Sequence, residues 1–221
     1  MEWRKAAAPL GLVPRHFMTM RKLILGSRNK KKLGELVELL GGLGSELENL
    51  DSYPGAPEVA ETATTFAGNA TLKAVTLAAA LGEWVIGEDS GLVVPVLGGE
   101  PGVYSARYAG EHGNDAANNA KLLAELAPYS GADRAAYYVC AAVLADPAGK
   151  VIASVEGRCH GLIATEERGS GGFGYDPLFL VPEYGQTFGE LPPEVKQRTS
   201  HRARALAELR AHIAAGLPAV G

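Results

Sequence analysis

The chain of 221 residues contains only two cysteines, Cys140 and Cys159, and they form neither a zinc-ligand spacing nor the disulfide framework of a secreted protein. A reducing, cytoplasmic environment is therefore expected. No apolar run is long enough to span a membrane, and residues 1–19 lack the apolar core of a signal peptide. The sequence thus predicts no membrane partner, and residues 1–19 are interpreted as an N-terminal extension or a remnant of expression.

Basic residues are also in the minority. Lys and Arg number 21 against 25 Asp and Glu, which gives a formal net charge of -4. A general nucleic-acid surface usually needs a basic face, so no nucleic-acid partner is expected, whereas a local basic pocket for a small anion is compatible with this charge. Hydrophobic residues make up 47% and no linker is visible, so residues 20–221 are predicted to form one globular domain.

The hydrophobic pattern alternates between strand-like and helix-like segments. A short buried strand begins at Met20, and a helix follows in which Leu33, Leu36, Val37 and Leu40 share one face. The later patterns predict, in chain order, a helix after Thr65, a buried strand that ends at Glu88 and Asp89, a helix over residues 116–127, a β-hairpin around "DPAGK", a β-like "LFLVP" and a closing helix from Pro193 to Ile213. This mixture indicates an α/β protein with a mixed sheet.

The stretch "GSRNKKK", from Gly26 to Lys32, lies where the first strand gives way to the first helix. Unpaired N–H groups at a helix start, together with Ser, Asn and Lys side chains, suit an anionic phosphate. Equally, Ser and Asn are ordinary helix caps, and a run of lysines usually faces water. The stretch is not a Walker loop, because the ending "GK[ST]" is missing.

Two adjacent acids, Glu88 and Asp89, follow the apolar "WVIG" and precede a Ser-Gly pair. Carboxylates in such a position suit Mg²⁺, which prefers oxygen ligands. Because side chains of a strand alternate between its faces, only one of the two is expected to meet a metal directly. Glu61 is the candidate for a second ligand. Taken singly, each of these acids is more often a surface or capping residue.

Gly169, Gly171 and Gly174 have the G-x-G-x-x-G spacing of a dinucleotide-binding loop. That fingerprint must open a helix, whereas here Asp176 and Pro177 follow, and then a β-like segment. A dinucleotide site is therefore rejected. The glycine loop is predicted instead to present Phe173, Tyr175 and Asp176 to a base, by stacking and by hydrogen bonding to ring N–H groups.

Near the C terminus, "KQRTSHRAR" supplies Lys196, His201 and Arg202 on or before a helix. A solvated basic helix face is the ordinary interpretation of such a stretch. Lys196 could nevertheless reach a phosphate, and Arg202 could donate to a carbonyl oxygen on a base. His201 is interpreted as a packing or orienting residue without a role in proton transfer.

Several motifs occur in an order that covers nearly the whole chain, from about Met20 to Leu209. They are "SRNKKK", "ETATTFAGNATLKA", "EDSGL", "LGGEPGVYSARYAG", "GGFGYDPLF" and "KQRTSHRARAL". In this order they closely resemble the inosine triphosphate pyrophosphatase family, also called the Ham1-like or non-canonical purine NTP pyrophosphatases. The resemblance implies an elongated mixed α/β fold with a central nucleotide-binding cleft, a homodimer, and Mg²⁺-dependent hydrolysis of ITP, dITP and XTP to the monophosphate and pyrophosphate.

The resemblance also implies roles for individual residues. Asp89 would activate the attacking water, and Glu61 and Asp89 would bind the metal. The residues expected to contact the substrate are Ser27, Arg28, Asn29, Lys30, Lys31, Lys32, Ser90, Phe173, Gly174, Tyr175, Asp176, Lys196, His201 and Arg202, with Asn69 and Lys73 as weaker candidates. Two features depart from the family pattern: Glu88 stands where many members have aspartate, and Gly68 replaces the glutamate usual in "TFxEN".

These residues lead to a hypothesis of in-line attack by a metal-activated water on the α-phosphorus. In the same hypothesis, Arg202 would select a 6-oxo purine over adenine, because two donors would face each other with ATP. Two other functions are weighed against it. A nucleotide-binding module without hydrolysis would use the same pocket, and an NAD-dependent oxidoreductase would need the glycine fingerprint that the loop lacks.

Overall fold

The computed structural model describes residues 22–43, 45–215 and 217. Residues 1–19 and the strand start expected at Met20 lie outside these ranges. The strands are β1 (Lys22–Leu25), β2 (Glu46–Asn49), β3 (Trp84–Val93), β4 (Ala135–Ala145), β5 (Val151–Ile163), β6 (Phe179–Val181) and β7 (Gln186–Thr187). The α-helices are α1 (Lys30–Leu40), α2 (Phe66–Leu81), α3 (Asp115–Glu125), α4 (Pro193–Thr199) and α5 (His201–Ala214).

The seven strands form one sheet in the order β2-β1-β3-β4-β5-β6-β7. Strand β1 pairs in parallel with β2 and β3, and the remaining neighbours are antiparallel. The predicted α/β class with a mixed sheet is therefore confirmed. The hairpin around "DPAGK" is confirmed as β4 and β5, and the helices expected after Thr65 and over residues 116–127 correspond to α2 and α3.

Alternation along the strands divides the apolar side chains between the two faces of the sheet. On one face, Leu23 and Leu25 pack in a core with Leu36 of α1 and Leu206 of α5. On the other face, Ile24 packs in a second core that includes the apolar side of α2. Val37, expected on the buried face of α1, is instead 48% exposed. Helices thus cover both faces of the sheet.

Two glycines allow helix backbones to approach the sheet closely. A Cβ at Gly87 of β3 would come 2.2 Å from the carbonyl oxygen of Ala70 in α2. On β5, a Cβ at Gly157 would come 2.2 Å from the carbonyl oxygen of His201 and 2.4 Å from the amide nitrogen of Ala205. Any side chain at these positions would push α2 or α5 away from the strands.

Two predicted boundaries are wrong. Strand β3 does not end at the acids but continues to Val93, pairing with β4 from Val85 to Val93. The closing helix is not continuous, because Ser200 adopts an extended backbone (φ -67, ψ 162) and its hydroxyl caps α5 by accepting from the Ala203 N–H. Serine is a common residue at the N-cap of a helix. The break at Ser200 places His201 and Arg202 in the first turn of α5.

Among the described residues, no helix is both long and apolar enough to cross a bilayer.

Candidate active site

A cavity of about 560 Å³ opens between α1, β3, the start of α3, the glycine loop and the start of α5. Apart from Ser27 and the weaker candidates Asn69 and Lys73, the predicted substrate-contacting residues all line it. The lining residues from that prediction are Arg28, Asn29, Lys30, Lys31, Lys32, Ser90, Phe173, Gly174, Tyr175, Asp176, Lys196, His201 and Arg202. Four motifs that are distant in the sequence therefore converge on one cavity.

The start of α1 is a capped helix, as the alternative interpretation of "GSRNKKK" predicts. The side-chain oxygen of Asn29 accepts from the backbone N–H groups of Lys31 (3.1 Å) and Lys32 (3.2 Å), and the Ser27 hydroxyl accepts from the Asn29 N–H. Capping and cavity lining are compatible, because the cap uses backbone groups and leaves the lysine side chains as donors. Of these, Lys31 pairs with Asp115 at 3.0 Å, and Lys32 extends to Glu88.

Asp89 is 5% exposed and lies on the α2 side of β3. Its carboxylate accepts hydrogen bonds from the Asn69 side-chain amide (3.1 Å) and from the Ser90 N–H (3.0 Å). Burial raises the pKa of Asp89, although the Lys73 ammonium 3.7 Å away opposes this shift. Asp89 is not itself a lining residue of the cavity, but its neighbour Ser90 is. The Asp89 carboxylate thus lies on the α2 face of β3, next in sequence to a residue that lines the cavity.

Glu61 lies beside Asp89, although 28 positions separate the two in the sequence. The Lys73 Nζ is 3.0 Å from Glu61 and 3.7 Å from Asp89, so one ammonium neutralises both carboxylates. Two hard oxygen ligands around one cation fit Mg²⁺, which typically uses one or two carboxylates together with water and substrate phosphates. No cluster of three or more His, Cys, Asp or Glu is present in the described ranges. Glu61 and Asp89 therefore fit Mg²⁺ as two protein ligands, with the remaining positions left for water and substrate phosphates.

Gly68, which replaces the usual glutamate, lies in the first turn of α2. Its N–H donates to the Thr65 hydroxyl, and a Cβ at this position would come 2.7 Å from the Cβ of Ala63. A side chain at position 68 would therefore require the segment that precedes α2 to shift. If the usual glutamate helps to hold the metal, metal binding is expected to be looser here or to rely on water, and this stays a prediction.

Glu88 points to the opposite side of β3 from Asp89, as strand alternation predicts. Its carboxylate is 1% exposed and pairs with Arg202 and with Lys32, each at 3.0 Å. Burial alone would raise the pKa of Glu88, but these two cations outweigh burial and hold the pKa well below its usual value. The sequence analysis gave Glu88 no partner, because its partners are 56 and 114 positions away in the chain.

The glycine loop is held in place by its own predicted base-contacting residues. The Asp176 carboxylate accepts from the Phe173 N–H (2.8 Å) and pairs with Lys196 (2.6 Å), while the Tyr175 hydroxyl donates to the Ser105 carbonyl (2.9 Å). Burial raises the pKa of Asp176, against the effect of Lys196. No helix follows Gly174, and β6 begins at Phe179, so the rejection of a dinucleotide fingerprint is confirmed.

His201 and Arg202 lie at the start of α5 and are both almost fully buried. The His201 ring stacks on Tyr138, with 4.7 Å between ring centroids, and its Nδ1 has no hydrogen-bond partner among the described residues. Burial and the neighbouring Arg202 hold the pKa of His201 well below its usual value. The imidazole is therefore neutral near pH 7, in keeping with the absence of an assigned proton-transfer role.

The Arg202 guanidinium has partners that the sequence analysis missed. It donates to Glu88, to the Ser90 hydroxyl (2.9 Å) and to Glu35 of α1. Glu35 also pairs with Lys196 at 2.8 Å. The one available signal for Glu35 was its position three residues after Lys32, which places both side chains on the same side of α1.

Asp115, the first residue of α3, was also missed. It accepts from the Lys31 ammonium and from the Gly174 N–H, each at 3.0 Å, and so joins the start of α1 to the glycine loop. No local pattern distinguishes this acid from an ordinary helix-start residue, since Asp is common in a first turn.

Comparison with known proteins identifies the family of this chain. The sequence model of the Ham1 family matches residues 23–212. The dITP/XTP pyrophosphatase of Geobacillus kaustophilus is 50% identical over 190 residues, which cover 86% of this chain and 93% of that protein. The dITP/XTP pyrophosphatase of Geobacter sulfurreducens is 48% identical over 194 residues, covering 88% and 97%.

Solved structures give the same result. A HAM1 protein from Coxiella burnetii superposes with a TM-score of 0.82 at 36% identity, covering 89% of this chain and 100% of that one. A nucleoside-triphosphatase / dITP/XTP pyrophosphatase from Mycobacterium abscessus superposes with a TM-score of 0.71 at 45% identity, covering 85% and 98%. The chain described here belongs to the Ham1 family.

Proposed function

We propose that this chain is a nucleoside triphosphate pyrophosphatase that hydrolyses the non-canonical purine nucleotides ITP, dITP and XTP to the monophosphate and pyrophosphate. The observation that carries the proposal is the convergence of lysines and an aromatic loop on one cavity, together with the Glu61 and Asp89 carboxylates around Lys73, next in sequence to the lining residue Ser90. The relatives named dITP/XTP pyrophosphatases support the same substrate class. Removal of such nucleotides from the cytoplasmic pool is the corresponding cellular role.

Two chemically different sets of side chains line the cavity. The basic side chains of Arg28 and Lys30 to Lys32, at the start of α1, suit the triphosphate. The Phe173 ring, whose centroid is 5.7 Å from Nζ of Lys31, and the Tyr138–His201 stack are flat apolar groups that suit a purine. A nucleoside triphosphate therefore fits with its phosphates beside α1 and its base beside the glycine loop.

Asp89 is the proposed general base. Its buried carboxylate, with a raised pKa, would take a proton from water as the water oxygen bonds to the α-phosphorus and the bond to the departing pyrophosphate breaks. Asn69 holds the carboxylate in one orientation, and the lysines of α1 offset charge on the leaving group. A Mg²⁺ ion held by Glu61 and Asp89 would supply charge neutralisation and water activation.

Discrimination between bases is assigned to Arg202. Its contacts to Glu88, Ser90 and Glu35 are four hydrogen bonds, which leave one of the five guanidinium N–H donors for a ligand. A 6-oxo purine can accept that donor, whereas the 6-amino group of adenine cannot. Leaving a buried donor unpaired costs about 1–3 kcal/mol, or roughly ten- to a hundredfold in selectivity.

One panel of measurements tests the proposal: pyrophosphate release from ITP, XTP, dITP, GTP and ATP, with and without Mg²⁺. Release from the first three that requires Mg²⁺ and exceeds release from ATP and GTP is expected. Binding without release would support a non-catalytic nucleotide-binding module instead. A homodimer is part of the proposal and is checked by light scattering on the same preparation.

A further inference from the structure

One carboxylate beneath the cavity wall, that of Glu88, has no role in the chemistry proposed above. It lies in the middle of β3 and points away from Asp89, towards the helices α1 and α5. It is 1% exposed, and both of its carboxylate oxygens are already paired with basic side chains. Any effect of Glu88 on the reaction must therefore pass through its neighbours.

Those neighbours are two cations that do line the cavity. Oε1 of Glu88 accepts from Nη2 (3.0 Å) and Nε (3.3 Å) of Arg202, while Oε2 lies 3.0 Å from Nζ of Lys32. In the proposed function, Lys32 holds the phosphates and Arg202 contacts the base. A single carboxylate thus connects one basic residue of each role.

The two cations depend on Glu88 to different degrees. Arg202 has a second acidic partner in Glu35. For Lys32, the ion pair with Glu88 is the only one formed within the described ranges. Because Lys32 and Arg202 carry like charges in a poorly hydrated site, they would repel each other without the intervening carboxylate, and Lys32 would lose its anchor.

Stability alone is a poor explanation for this arrangement. A buried ion pair contributes little net stability relative to apolar side chains of similar volume, because both charges must be desolvated. Its lasting consequence is geometric: charge-assisted hydrogen bonds hold the Arg202 guanidinium, and an ion pair holds the Lys32 ammonium, at the cavity wall.

We propose that Glu88 is a positioning residue, which orients Lys32 towards the substrate phosphates and sets its separation from Arg202. The inference deepens the proposed function and rests on it for the identity of the substrate. The new element is that Glu88 influences the reaction through Lys32.

A double-mutant cycle tests this path. Glu88→Gln, Lys32→Gln and the double variant are compared with the wild type by kcat/KM for ITP. Glu88→Gln is expected to lower kcat/KM by on the order of tenfold in the wild type but by less than about threefold once Lys32 is already replaced. Equal losses in both backgrounds, or no loss in either, would overturn the proposal. A role limited to stability would give equal losses.

Glu88→Gln removes the negative charge that is paired with Lys32 and Arg202 and could unfold the protein. Thermal unfolding of each variant is therefore recorded. If that variant does not fold, the same cycle is run with Glu88→Asp, which keeps the charge but shortens the side chain. The matched control is Glu48→Gln, which removes a carboxylate paired with Lys22 outside the cavity and should leave kcat/KM unchanged.

The test also separates this proposal from the proposed function. If the wild type releases no pyrophosphate from any purine triphosphate, the function fails, and the cycle is repeated with the dissociation constant of ITP from calorimetry. A smaller effect of Glu88→Gln on binding in the Lys32→Gln background would then support positioning. Equal effects in both backgrounds, or no detectable binding of ITP by the wild type, would overturn it.

Discussion

Asn69 donates a side-chain hydrogen bond to the Asp89 carboxylate at 3.1 Å, which joins the first turns of α2 to the centre of β3. Asn69 is 1% exposed, and its own side-chain oxygen accepts from the Ala63 N–H at 2.9 Å. The amide is therefore held at both ends, so its orientation is defined. This contact limits the rotation of the carboxylate proposed as the general base.

Asp89→Asn should lower pyrophosphate release from ITP by at least about a hundredfold, because an amide cannot take a proton from water. The fold should survive, since the new side chain keeps the size of the old one and an oxygen that can accept from Asn69. Activity and thermal unfolding are measured together, with the exposed Asp51→Asn as a control that should behave like wild type. A near-normal rate in Asp89→Asn would remove Asp89 from the mechanism.

Arg202→Lys should weaken the preference for ITP over ATP by on the order of tenfold, while the preference for ITP over GTP changes less. Lysine keeps the charge between Glu88 and Glu35 but loses the planar fork that leaves one donor for the base. The kcat/KM values of the three nucleotides are compared. Equal loss of both preferences would contradict the assignment of Arg202 to the 6-oxo group.

His201 should make the protein less stable in acid. Its pKa is held well below the usual value in the folded chain, so below about pH 6.5 only the unfolded chain takes up this proton. Stability then falls as the pH drops through this range, by on the order of 1 kcal/mol between pH 7.5 and 5.5.

The check is urea unfolding of the wild type and of His201→Phe, which keeps a ring to stack on Tyr138. The variant should lose on the order of 1 kcal/mol less than the wild type over that pH interval, and the remaining histidines cancel in the comparison. Identical pH dependence in the two proteins would mean that folding does not lower the pKa of His201.

Gly157→Ala should lower the free energy of unfolding by about 2 kcal/mol or more and should also reduce activity. The added methyl group would overlap backbone atoms of His201 and Ala205, so α5 must move, and with it Arg202. Urea unfolding and ITP hydrolysis are the measurements.

Gly34→Ala is the matched control for this prediction. Gly34 lies inside α1, and a Cβ there would meet nothing within 4 Å. Alanine should therefore stabilise the protein by about 0.5–1 kcal/mol through helix propensity. Destabilisation of similar size at both positions would show that close approach at Gly157 is not the cause.

The longer elements could be predicted from the sequence because their local patterns agree with their environment. The apolar spacing of α1 and α2 and the turn at "DPAGK" are local signals, and each corresponds to an observed element. Strands β2 and β7 were missed for a physical reason. They have four and two residues, and "ELEN" at the sheet edge carries no apolar alternation.

The candidate site was predictable only in part, because its ion pairs connect distant segments. The order of the motifs predicted that Lys32, Lys196 and Arg202 belong to one site. No local sequence pattern, however, predicts that Arg202 pairs with Glu35, which is 167 positions away. Likewise, the predicted stop of β3 at the acids relied on the usual placement of polar residues at strand ends. Lysine and arginine on the covering helices neutralise Glu88 and allow the strand to continue through it.

Glu88 and Asp89 are adjacent in the sequence, but their proposed roles differ. Because neighbours in a strand face opposite ways, insertion or deletion of one residue in β3 before these acids would exchange them, sending the proposed base towards α5 and its charged neighbour towards α2. The positions of both acids therefore depend on whether the number of preceding residues in β3 is odd or even. Insertions or deletions of two residues in β3 should be tolerated better than those of one residue.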